Sequence, residues 1–337
     1  MPPTPATRAQ PIPGAGQLEQ RLRARRQPLL IGVAGDSGSG KSTYTRGIEW
    51  LLGTDLVSQI SLDGYHCEDR ATRQTTGRTP LDPEANHLSQ AVEHLRALQA
   101  GQAVEIPVYD HTQGCFMPSR WHEPTPVIVV EGLHTLYPGF RELLDFALYV
   151  DTEAAVKRIW KFERDTRERG YAGEAVEAEI NRRSTEYDRW IAGQQAHADV
   201  ILRIHPSGLD DLALGRLEVP EGPSCHHLEV IVKPRPGDQP ALYFPVDLNN
   251  MTRESAMPFL LATVPSRFRD ETVNVLHVDG YMPPAALETL EREICAFAGV
   301  DSPAGTTSSA ADQTPTVRFA QMLVAWPILS HLAALTR

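Results

Sequence analysis

The chain has 337 residues, 41% hydrophobic and 22% charged, which is the composition of an ordinary globular protein with one large or two ordinary domains. The net charge of −11 argues against nucleic acid as the main partner, because phosphate backbones attract basic surfaces. We find no apolar run of the ~18 residues that a membrane span needs, and four scattered cysteines without a CxxC pair favour a reduced cytoplasm over a disulfide framework.

Residues 1–27 predict a flexible tail, because they are rich in Pro, Ala, Gln and Arg and lack the apolar core of a signal peptide. Only the stretch "LEQRLRARR" near the end of this tail has the character of a helix.

A phosphate-binding loop follows. The apolar run "LLIGVA" predicts a buried strand, and "STYTRGIEWLL" has helical spacing. Between them the pattern G-x-x-x-x-G-K-[ST] predicts backbone N–H groups on phosphates, a lysine on the β- and γ-phosphates and a hydroxyl on Mg²⁺. The sequence contains no Asn-Lys-x-Asp motif, with which GTPases usually recognise guanine, so a GTPase is disfavoured. We therefore predict ATP and Mg²⁺ as ligands, with nucleotide-binding residues Gly35, Asp36, Ser37, Gly38, Ser39, Gly40, Lys41, Ser42 and Thr43.

The next predicted strand, "DLVSQISLD", ends at Asp63 and is followed by His66 and Arg70. Because residues just past the carboxyl ends of parallel strands line the binding crevice, these three are expected beside the phosphates. A carboxylate there can accept a proton from an attacking hydroxyl, although Asp63 could also serve as a turn cap.

A third apolar run, "TPVIVVEGLH", ends in Glu131, which suits a carboxylate that organises Mg²⁺ together with Ser42. The alternative is an acid that merely ends a strand. His134 lies on the same loop and could contact either substrate or protein.

The runs "LLDFALYVD" and "ADVILRI" complete five candidate parallel strands separated by helical stretches. We predict an α/β fold, a doubly wound and mainly parallel P-loop sheet, with a smaller α+β carboxyl-terminal region. The predicted divisions are a tail (1–27), a kinase domain (28–207) with a lid at about 151–190, a connector (208–224) and the carboxyl-terminal region (225–337).

In the carboxyl-terminal region, "HHLEVIVKP" and "ALYFPVDL" predict a hairpin and "PPAALETLEREICAFAG" predicts a helix. The stretch "DSPAGTTSSAADQTP" is of low complexity. His226, His227 and His277 could suggest a metal site, but scattered histidines on strands are more often surface or core residues.

In the order in which they occur, "GDSGSGKST", "SLDGYHCEDR", "TPLDPEANH", "IPVYDHTQG", "VIVVEGLHTLY", "LLDFALYVD", "WKFERDTRERGY" and "QQAHADVIL" resemble the phosphoribulokinase branch of the phosphoribulokinase/uridine kinase family. The resemblance covers about residues 29–205. Residues 225–335 more weakly resemble the carboxyl-terminal part of the plant, cyanobacterial and archaeal type of this branch.

This resemblance implies ATP-dependent phosphorylation of the primary hydroxyl of ribulose 5-phosphate, giving ribulose 1,5-bisphosphate, in a cytoplasmic Calvin cycle enzyme that is a homodimer. It implies that Asp63 is the catalytic base and that Glu131 is linked to the metal. The substrate-binding residues would be His66, Arg70, His111, His134 and Arg169, and the further catalytic residues Lys41, Lys161, Arg164 and Asp165.

The charge pattern agrees with these roles, because the segment from Asp151 to Arg189 is a basic island in an acidic protein. Two anionic substrates need such charges to approach each other. Composition alone would favour a solvated helix with i,i+4 ion pairs. The resemblance supports a functional role for Lys161 and its motif neighbours, but not for Lys157 or Arg158.

The sequence departs from the family pattern at a few positions. Gly64 stands where the plant type has a second acid, and Gly193 stands where proline is common. Ser39 and Ser61 stand where the oxygenic enzymes carry regulatory cysteines, so we predict no dithiol switch through that pair.

Two other functions stay open at this point. A related kinase could act on a nucleoside such as uridine or on another sugar phosphate, although Arg70, His66 and His111 suit a sugar phosphate better. The chain could also be an inactive nucleotide-binding regulator, but the retained set of Lys41, Asp63 and Glu131 argues against decay.

Overall fold

The computed structural model describes residues 17–167, 183–209, 226–233, 259–280, 284–300 and 315–337. Its strands are β1 (Leu29–Gly35), β2 (Val57–Ser61), β3 (Val104–Asp110), β4 (Cys115–His122), β5 (Val127–Gly132), β6 (Phe146–Thr152), β7 (Val200–Pro206), β8 (His226–Val232), β9 (Phe259–Phe268) and β10 (Glu271–Gly280). Its α-helices are α1 (Leu18–Ala24), α2 (Lys41–Leu52), α3 (Arg70–Thr76), α4 (Leu88–Gln99), α5 (Pro138–Arg141), α6 (Ala154–Arg167), α7 (Pro284–Ala298) and α8 (Pro315–Leu335).

The central sheet has eight strands in the order β2-β5-β1-β6-β7-β8-β10-β9. The first five pair in parallel, which confirms the predicted doubly wound α/β fold. The strands β8, β10 and β9 continue the same sheet in antiparallel pairing. A separate hairpin is formed by β3 and β4.

Helices cover both faces of the sheet. Alternate residues of each strand point to opposite faces, so one face packs on α1, α2, α7 and α8. The opposite face packs on α4, α5 and β3. The inner strands β1 and β5 are buried on both faces and almost wholly apolar, as the runs "LLIGVA" and "VIVV" predicted, whereas the edge strand β2 is only partly buried and contains Ser58 and Gln59.

In the carboxyl-terminal region, β8 and α7 confirm one predicted strand and the predicted helix. The second predicted hairpin strand lies outside the described residues, as do most of the connector and the low-complexity stretch. The proposed division into domains stays a prediction.

Helix α8 corrects one expectation from composition. Its stretch Val317–Leu335 is long and apolar enough to cross a membrane, contrary to the expectation that no run reaches that length. However, 72% of this stretch is buried inside the structure, as in the core helix of a folded domain.

Candidate active site

The P-loop joins β1 to α2. Gly35, Gly38 and Gly40 all have positive φ angles, and a Cβ at Gly35 would lie 2.4 Å from the carbonyl oxygen of Val150. Lys41 Nζ lies across the loop and donates to the carbonyl oxygens of Gly35 (3.0 Å) and Asp36 (2.7 Å). The loop therefore has the backbone shape that a phosphate cradle requires.

Asp36 connects this loop to α6. Its carboxylate accepts a hydrogen bond from the backbone N–H of Ser37 (2.7 Å) and pairs with Lys157 Nζ (2.8 Å) and Arg183 (3.8 Å). Burial alone would raise the pKa of Asp36, but the charges of Arg183 and Lys157 hold the pKa below its ordinary value. Lys157 Nζ also lies 4.3 Å from the centre of the Tyr187 ring.

Asp63 lies on the 3₁₀ turn Leu62–Tyr65 that follows β2, and Ser61 Oγ caps this turn by accepting from the Asp63 N–H (3.3 Å). Its Oδ2 is 2.9 Å from His111 Nε2, and its Oδ1 is 3.6 Å from His66 Nε2. Burial by itself would raise the pKa of Asp63. The His111 hydrogen bond and the charges of His66 and Lys41 outweigh burial and hold the pKa well below its usual range.

His66 is buried and fixed by Asn86. The distance from His66 Nδ1 to Asn86 Oδ1 is 2.7 Å, and Asn86 Nδ2 donates to the carbonyl oxygens of Pro80 and Asp82. Because the amide oxygen accepts, Nδ1 carries a proton, and the ring is held with Nε2 toward Asp63. Burial lowers the pKa of His66.

Two arginines of α3 contact strand β3 and the turn that follows it. Arg70 donates to the carbonyl oxygens of His111 and Thr112, in the turn between β3 and β4. Arg73 Nη2 donates to the Tyr109 hydroxyl (2.8 Å). Arg73 Nη1 is buried and has no hydrogen-bond partner among the described residues, so it is a donor that an anionic ligand could use.

Glu131 is the penultimate residue of β5 and lies next to β1 in the sheet, opposite Val33. Its Oε2 is buried without a hydrogen-bond partner among the described residues. Burial raises the pKa of Glu131, and the nearby charge of Asp63 adds to this while Lys41 opposes it. A buried, unpaired carboxylate oxygen of this kind fits a divalent cation, and Ser42 at the start of α2 supplies the hydroxyl of the same predicted set.

His134 is buried, and its Nε2 lies 2.8 Å from the carbonyl oxygen of Leu81. Burial lowers the pKa of His134 to about 4. Of the two partners that the sequence left open, substrate or protein, the structure shows a protein contact.

Helix α6 carries Lys161 and Asp165, which are 6% and 5% exposed. Their four-residue spacing places both on one face of the helix, as predicted. The side chain of Arg164 and all of Arg169 lie outside the described part of the chain, so their predicted roles stay predictions.

Three residues beside these groups were not singled out from the sequence: Lys157, Arg73 and Asn86. A signal existed for Lys157, which lies one helical turn before Lys161 on the same face of α6. Asn86 belongs to the motif "TPLDPEANH", which contributed to the family resemblance but gave no role to any single residue. Nothing in the local sequence distinguishes Arg73 from its neighbour Arg70.

The strand, the glycine-rich loop and Lys41, with carboxylates at the ends of β2 and β5, define a P-loop nucleotide-binding protein of the α/β class. The chain belongs to the Phosphoribulokinase / Uridine kinase family, whose model matches residues 30–209.

Individual relatives agree with this assignment. The chain is 43% identical over 182 residues to the phosphoribulokinase of Synechocystis sp. (strain ATCC 27184 / PCC 6803 / Kazusa), covering 54% of this chain and 55% of that protein. It is 38% identical over 153 residues to a uridine kinase of Chloroflexus aggregans, covering 44% of this chain and 73% of that one. The chain spans about half the length of the curated phosphoribulokinases it matches.

Among solved structures, the phosphoribulokinase from Rhodobacter spheroides superimposes with a TM-score of 0.56. The superposition covers 93% of this chain and 99% of that one at 18% sequence identity. At this identity the similarity shows a shared fold.

Proposed function

We propose that this protein transfers the γ-phosphoryl group of ATP to the primary hydroxyl of ribulose 5-phosphate, giving ribulose 1,5-bisphosphate and ADP. The observation that carries the proposal is the placement of Asp63. Its carboxylate lies close to His111 and His66 and near enough to the P-loop lysine to feel its charge, which suits the place where an acceptor alcohol would meet ATP.

Asp63 would take the proton of the acceptor hydroxyl. Because its pKa is held low, the carboxylate is ionised throughout the physiological range and is always ready to accept a hydrogen bond. His111 occupies Oδ2 (2.9 Å), whereas His66 Nε2 lies 3.6 Å from Oδ1, too far for a hydrogen bond, so Oδ1 can accept from another donor. We assign Oδ1 to the acceptor hydroxyl.

The phosphate of the acceptor would be bound by α3 and the turn between β3 and β4. Arg73 Nη1 is the buried donor without a partner in the described residues, and Arg70 and His111 lie at the neighbouring turn. A phosphate here would satisfy Arg73 and place the far end of a pentose near Asp63.

Glu131 and Ser42 would hold Mg²⁺, which when bound neutralises charge on the transferring phosphoryl group. Lys41 would contact the β- and γ-phosphates, and Lys161 and Asp165, with Arg164 and Arg169, would complete the site from the lid. We further propose that the enzyme works in the cytoplasm, in the Calvin cycle, as a homodimer.

A second candidate acceptor is a nucleoside, because the chain is also similar to a uridine kinase over most of that protein. The imidazole and guanidinium groups around Asp63 favour a phosphorylated acceptor, since a nucleoside offers no anion to pair with Arg73. An inactive regulator is disfavoured because Lys41, Asp63 and Glu131 are all retained and lie close enough to influence one another.

The test is a coupled assay of ADP release with ATP and Mg²⁺ across pentose phosphates, hexose phosphates and nucleosides. We expect ribulose 5-phosphate to give the highest kcat/KM. If uridine gives the highest value, the nucleoside reading replaces this one. If no acceptor stimulates ADP release, the hypothesis of an inactive nucleotide-binding regulator replaces the proposed kinase activity.

Asp63→Asn tests the base. We expect kcat with ribulose 5-phosphate to fall by about 10²–10⁴-fold, because the amide cannot accept the proton. ATP affinity measured by calorimetry should stay within a few-fold of the parent value. Near-normal turnover in this variant would remove Asp63 from the role of base.

A further inference from the structure

Four side chains that the proposed reaction does not use form a cluster on one face of the central sheet. They are His205 on β7, His227 and Glu229 on β8, and His277 on β10, and we call them the histidine cluster. His205 pairs with His227 across β7 and β8, and Glu229 pairs with His277 across β8 and β10. Because paired residues and residues two apart share a face, all four point the same way.

The spacing of three of these side chains suits a single metal ion, and the fourth, His205, lies beside Glu229. One ligand atom from each of His227, Glu229 and His277 lies within 4.8 Å of the other two. The closest approaches are 3.1 Å between His227 Nε2 and His277 Nδ1, and 3.9 Å between His277 Nδ1 and Glu229 Oε1. His205 Nε2 is 3.6 Å from Glu229 Oε2. Four ligands about 2.0–2.1 Å from a zinc ion at the corners of a tetrahedron lie roughly 3.3–3.4 Å apart.

Carboxylates contact the Nδ1 atoms of two of the imidazoles and so fix the orientation of these rings. His227 Nδ1 is 3.3 Å from Asp279 Oδ2, and His205 Nδ1 is 3.0 Å from Glu153 Oε2. When the nitrogen that contacts Asp279 or Glu153 carries the proton, the other nitrogen of that ring can present a lone pair to a metal ion in the cluster. Metal-binding histidines are typically held in this way.

Asp279 is itself firmly placed. It is 2% exposed, and it accepts from Ser207 Oγ (2.5 Å) and from the backbone N–H of Gly208 (2.9 Å). The orientation of His227 is thus built into the connection between the end of β7 and the end of β10.

Without a metal ion, the cluster leaves one buried nitrogen without a hydrogen bond. His205 Nε2 has no hydrogen-bond partner in the described residues, and the Glu229 carboxylate lies 3.6 Å away. A metal ion between them would give both groups a partner. Arg203 lies on β7, like His205, and its guanidinium group pairs with the Glu229 carboxylate at 3.8 Å. This pair neutralises part of the Glu229 charge but gives His205 Nε2 no hydrogen bond.

We propose that the histidine cluster is a structural binding site for a borderline-soft divalent metal of the zinc class, with His227, His277 and Glu229 as the ligands that already lie together and His205 as the fourth ligand, which closes on the metal when it binds. Three imidazoles and one carboxylate form a set that zinc favours over Mg²⁺ or Ca²⁺, which take oxygen ligands.

The position of the site defines its role. His205 belongs to the last parallel strand, within the family-matched residues 30–209, whereas His227, Glu229 and His277 lie beyond them. Through Glu153, which immediately precedes α6, the site also adjoins the helix that carries Lys157 and Lys161. A bound metal would therefore fasten the carboxyl-terminal strands to the nucleotide-binding part of the sheet.

The experiment uses the full-length chain stripped of metal with a chelator and kept in excess Mg²⁺, so that the Glu131 site is filled. Zn²⁺ affinity is measured against a chromophoric chelator, and Co²⁺ is used as a spectroscopic probe. We expect one equivalent to bind, with the intense visible absorption of tetrahedral Co²⁺, and Zn²⁺ to raise the unfolding midpoint.

His227→Gln and His277→Gln should each weaken Zn²⁺ binding by at least 100-fold and abolish the Co²⁺ band. His226→Gln is the matched control, because the adjacent ring points to the other face and packs 5.0 Å from the Trp160 ring. Asp279→Asn keeps all four ligands and should weaken binding by about 10–100-fold.

Circular dichroism establishes that each variant is folded. If the ligand variants do not fold, X-ray absorption of the zinc-loaded parent decides, since the proposal requires three nitrogen neighbours and one oxygen at about 2.0–2.1 Å. The proposal is overturned if the parent binds no stoichiometric Zn²⁺, if His226→Gln and His227→Gln lose affinity equally, or if the absorption shows sulfur ligands.

Discussion

Lys157 and Arg158 are neighbours on α6 with different surroundings. Lys157 Nζ pairs with Asp36 of the P-loop, while Arg158 is exposed at the surface. The sequence treated both as ordinary members of a basic helix. The structure makes Lys157 a positioning residue, which holds the loop against the helix through a charge-assisted hydrogen bond.

Lys157→Gln should therefore raise the KM for ATP by about tenfold, because a buried charged hydrogen bond contributes about 1.5–3 kcal/mol. The kcat at saturating ATP should change much less, since the residue acts through Asp36. Steady-state kinetics with varied ATP measure both constants. Arg158→Gln is the control and should leave both near the parent values; equal effects of the two substitutions would contradict the assigned role.

His134 links stability to pH. In the unfolded chain it takes up a proton near its ordinary pKa of 6.5, whereas in the folded protein it does so only near pH 4. The unfolded state therefore binds more protons between these values, and the folded state loses up to about 3 kcal/mol as the pH falls from 6.5 toward 4.

His134→Gln can keep a donor to the Leu81 carbonyl but cannot titrate. Urea unfolding at pH 5 and pH 7 should show a smaller pH dependence of the unfolding free energy in the variant than in the parent. Parallel pH dependence in the two proteins would show that His134 does not cause the loss.

Several single residues could be predicted from the sequence because a motif fixes both their type and their spacing. Lys41 and Glu131 are of this kind, since each follows directly from a strand and its loop. Arg73 and Asn86 could not be predicted, because their positions depend on Tyr109, on the Pro80–Asp82 loop and on other contacts distant in sequence.

The short 3₁₀ turn Leu62–Tyr65 packs directly against β3. A Cβ added at Gly64 would lie 2.2 Å from the carbonyl oxygen of Pro107, so this close approach requires glycine. The departure of Gly64 from the family pattern thus concerns the backbone beside Asp63 as well as charge.

Gly64→Ala should lower the unfolding free energy by about 1–3 kcal/mol through overpacking. It should also reduce kcat, because the shift moves Asp63 relative to His111. Urea unfolding and steady-state kinetics measure the two effects. Gly193→Ala is the matched control, since an added Cβ there meets nothing within 4 Å. If both variants are equally stable, the close contact with Pro107 does not require glycine at position 64.

For the secondary-structure elements, the sequence predicted the five parallel strands because four of them are mostly buried and rich in apolar residues, while the edge strand β2 was recognised despite Ser58 and Gln59. It did not predict the hairpin of β3 and β4. Strand β4 is mostly exposed, and Pro107 coincides with an irregularity in the pairing between Ile106 and Val108. Neither strand therefore has the regular alternation by which a hairpin is recognised.

For the molecule as a whole, the helix at the carboxyl terminus packs against the helix that begins in the P-loop. Gln321 Nε2 of α8 donates to the carbonyl oxygen of Thr43 in α2 (2.7 Å), and Gly47 of α2 allows α8 to come close. Buried side chains of α8 also join the core that contains β1 and β6. The family-matched residues therefore share their core with residues far outside the match.

A chain that ends at residue 314 should not fold stably, although it keeps every predicted site residue. Removing α8 would expose the apolar side chains of α2 and α7 that it covers. Solubility and a cooperative thermal transition are the measurements. A truncated protein with the midpoint of the parent would show that the kinase part folds independently.

The contact between Thr43 and Gln321 joins residues 278 positions apart. At a synthesis rate of ~5–20 residues per second, roughly 15–55 s pass between the emergence of these two segments from the ribosome. During that interval the apolar side of helix α2 lacks its partner and stays open to non-native contacts until α8 has emerged. Heterologous expression should therefore benefit more from added chaperone, which covers such a surface, than from changes near the loop itself.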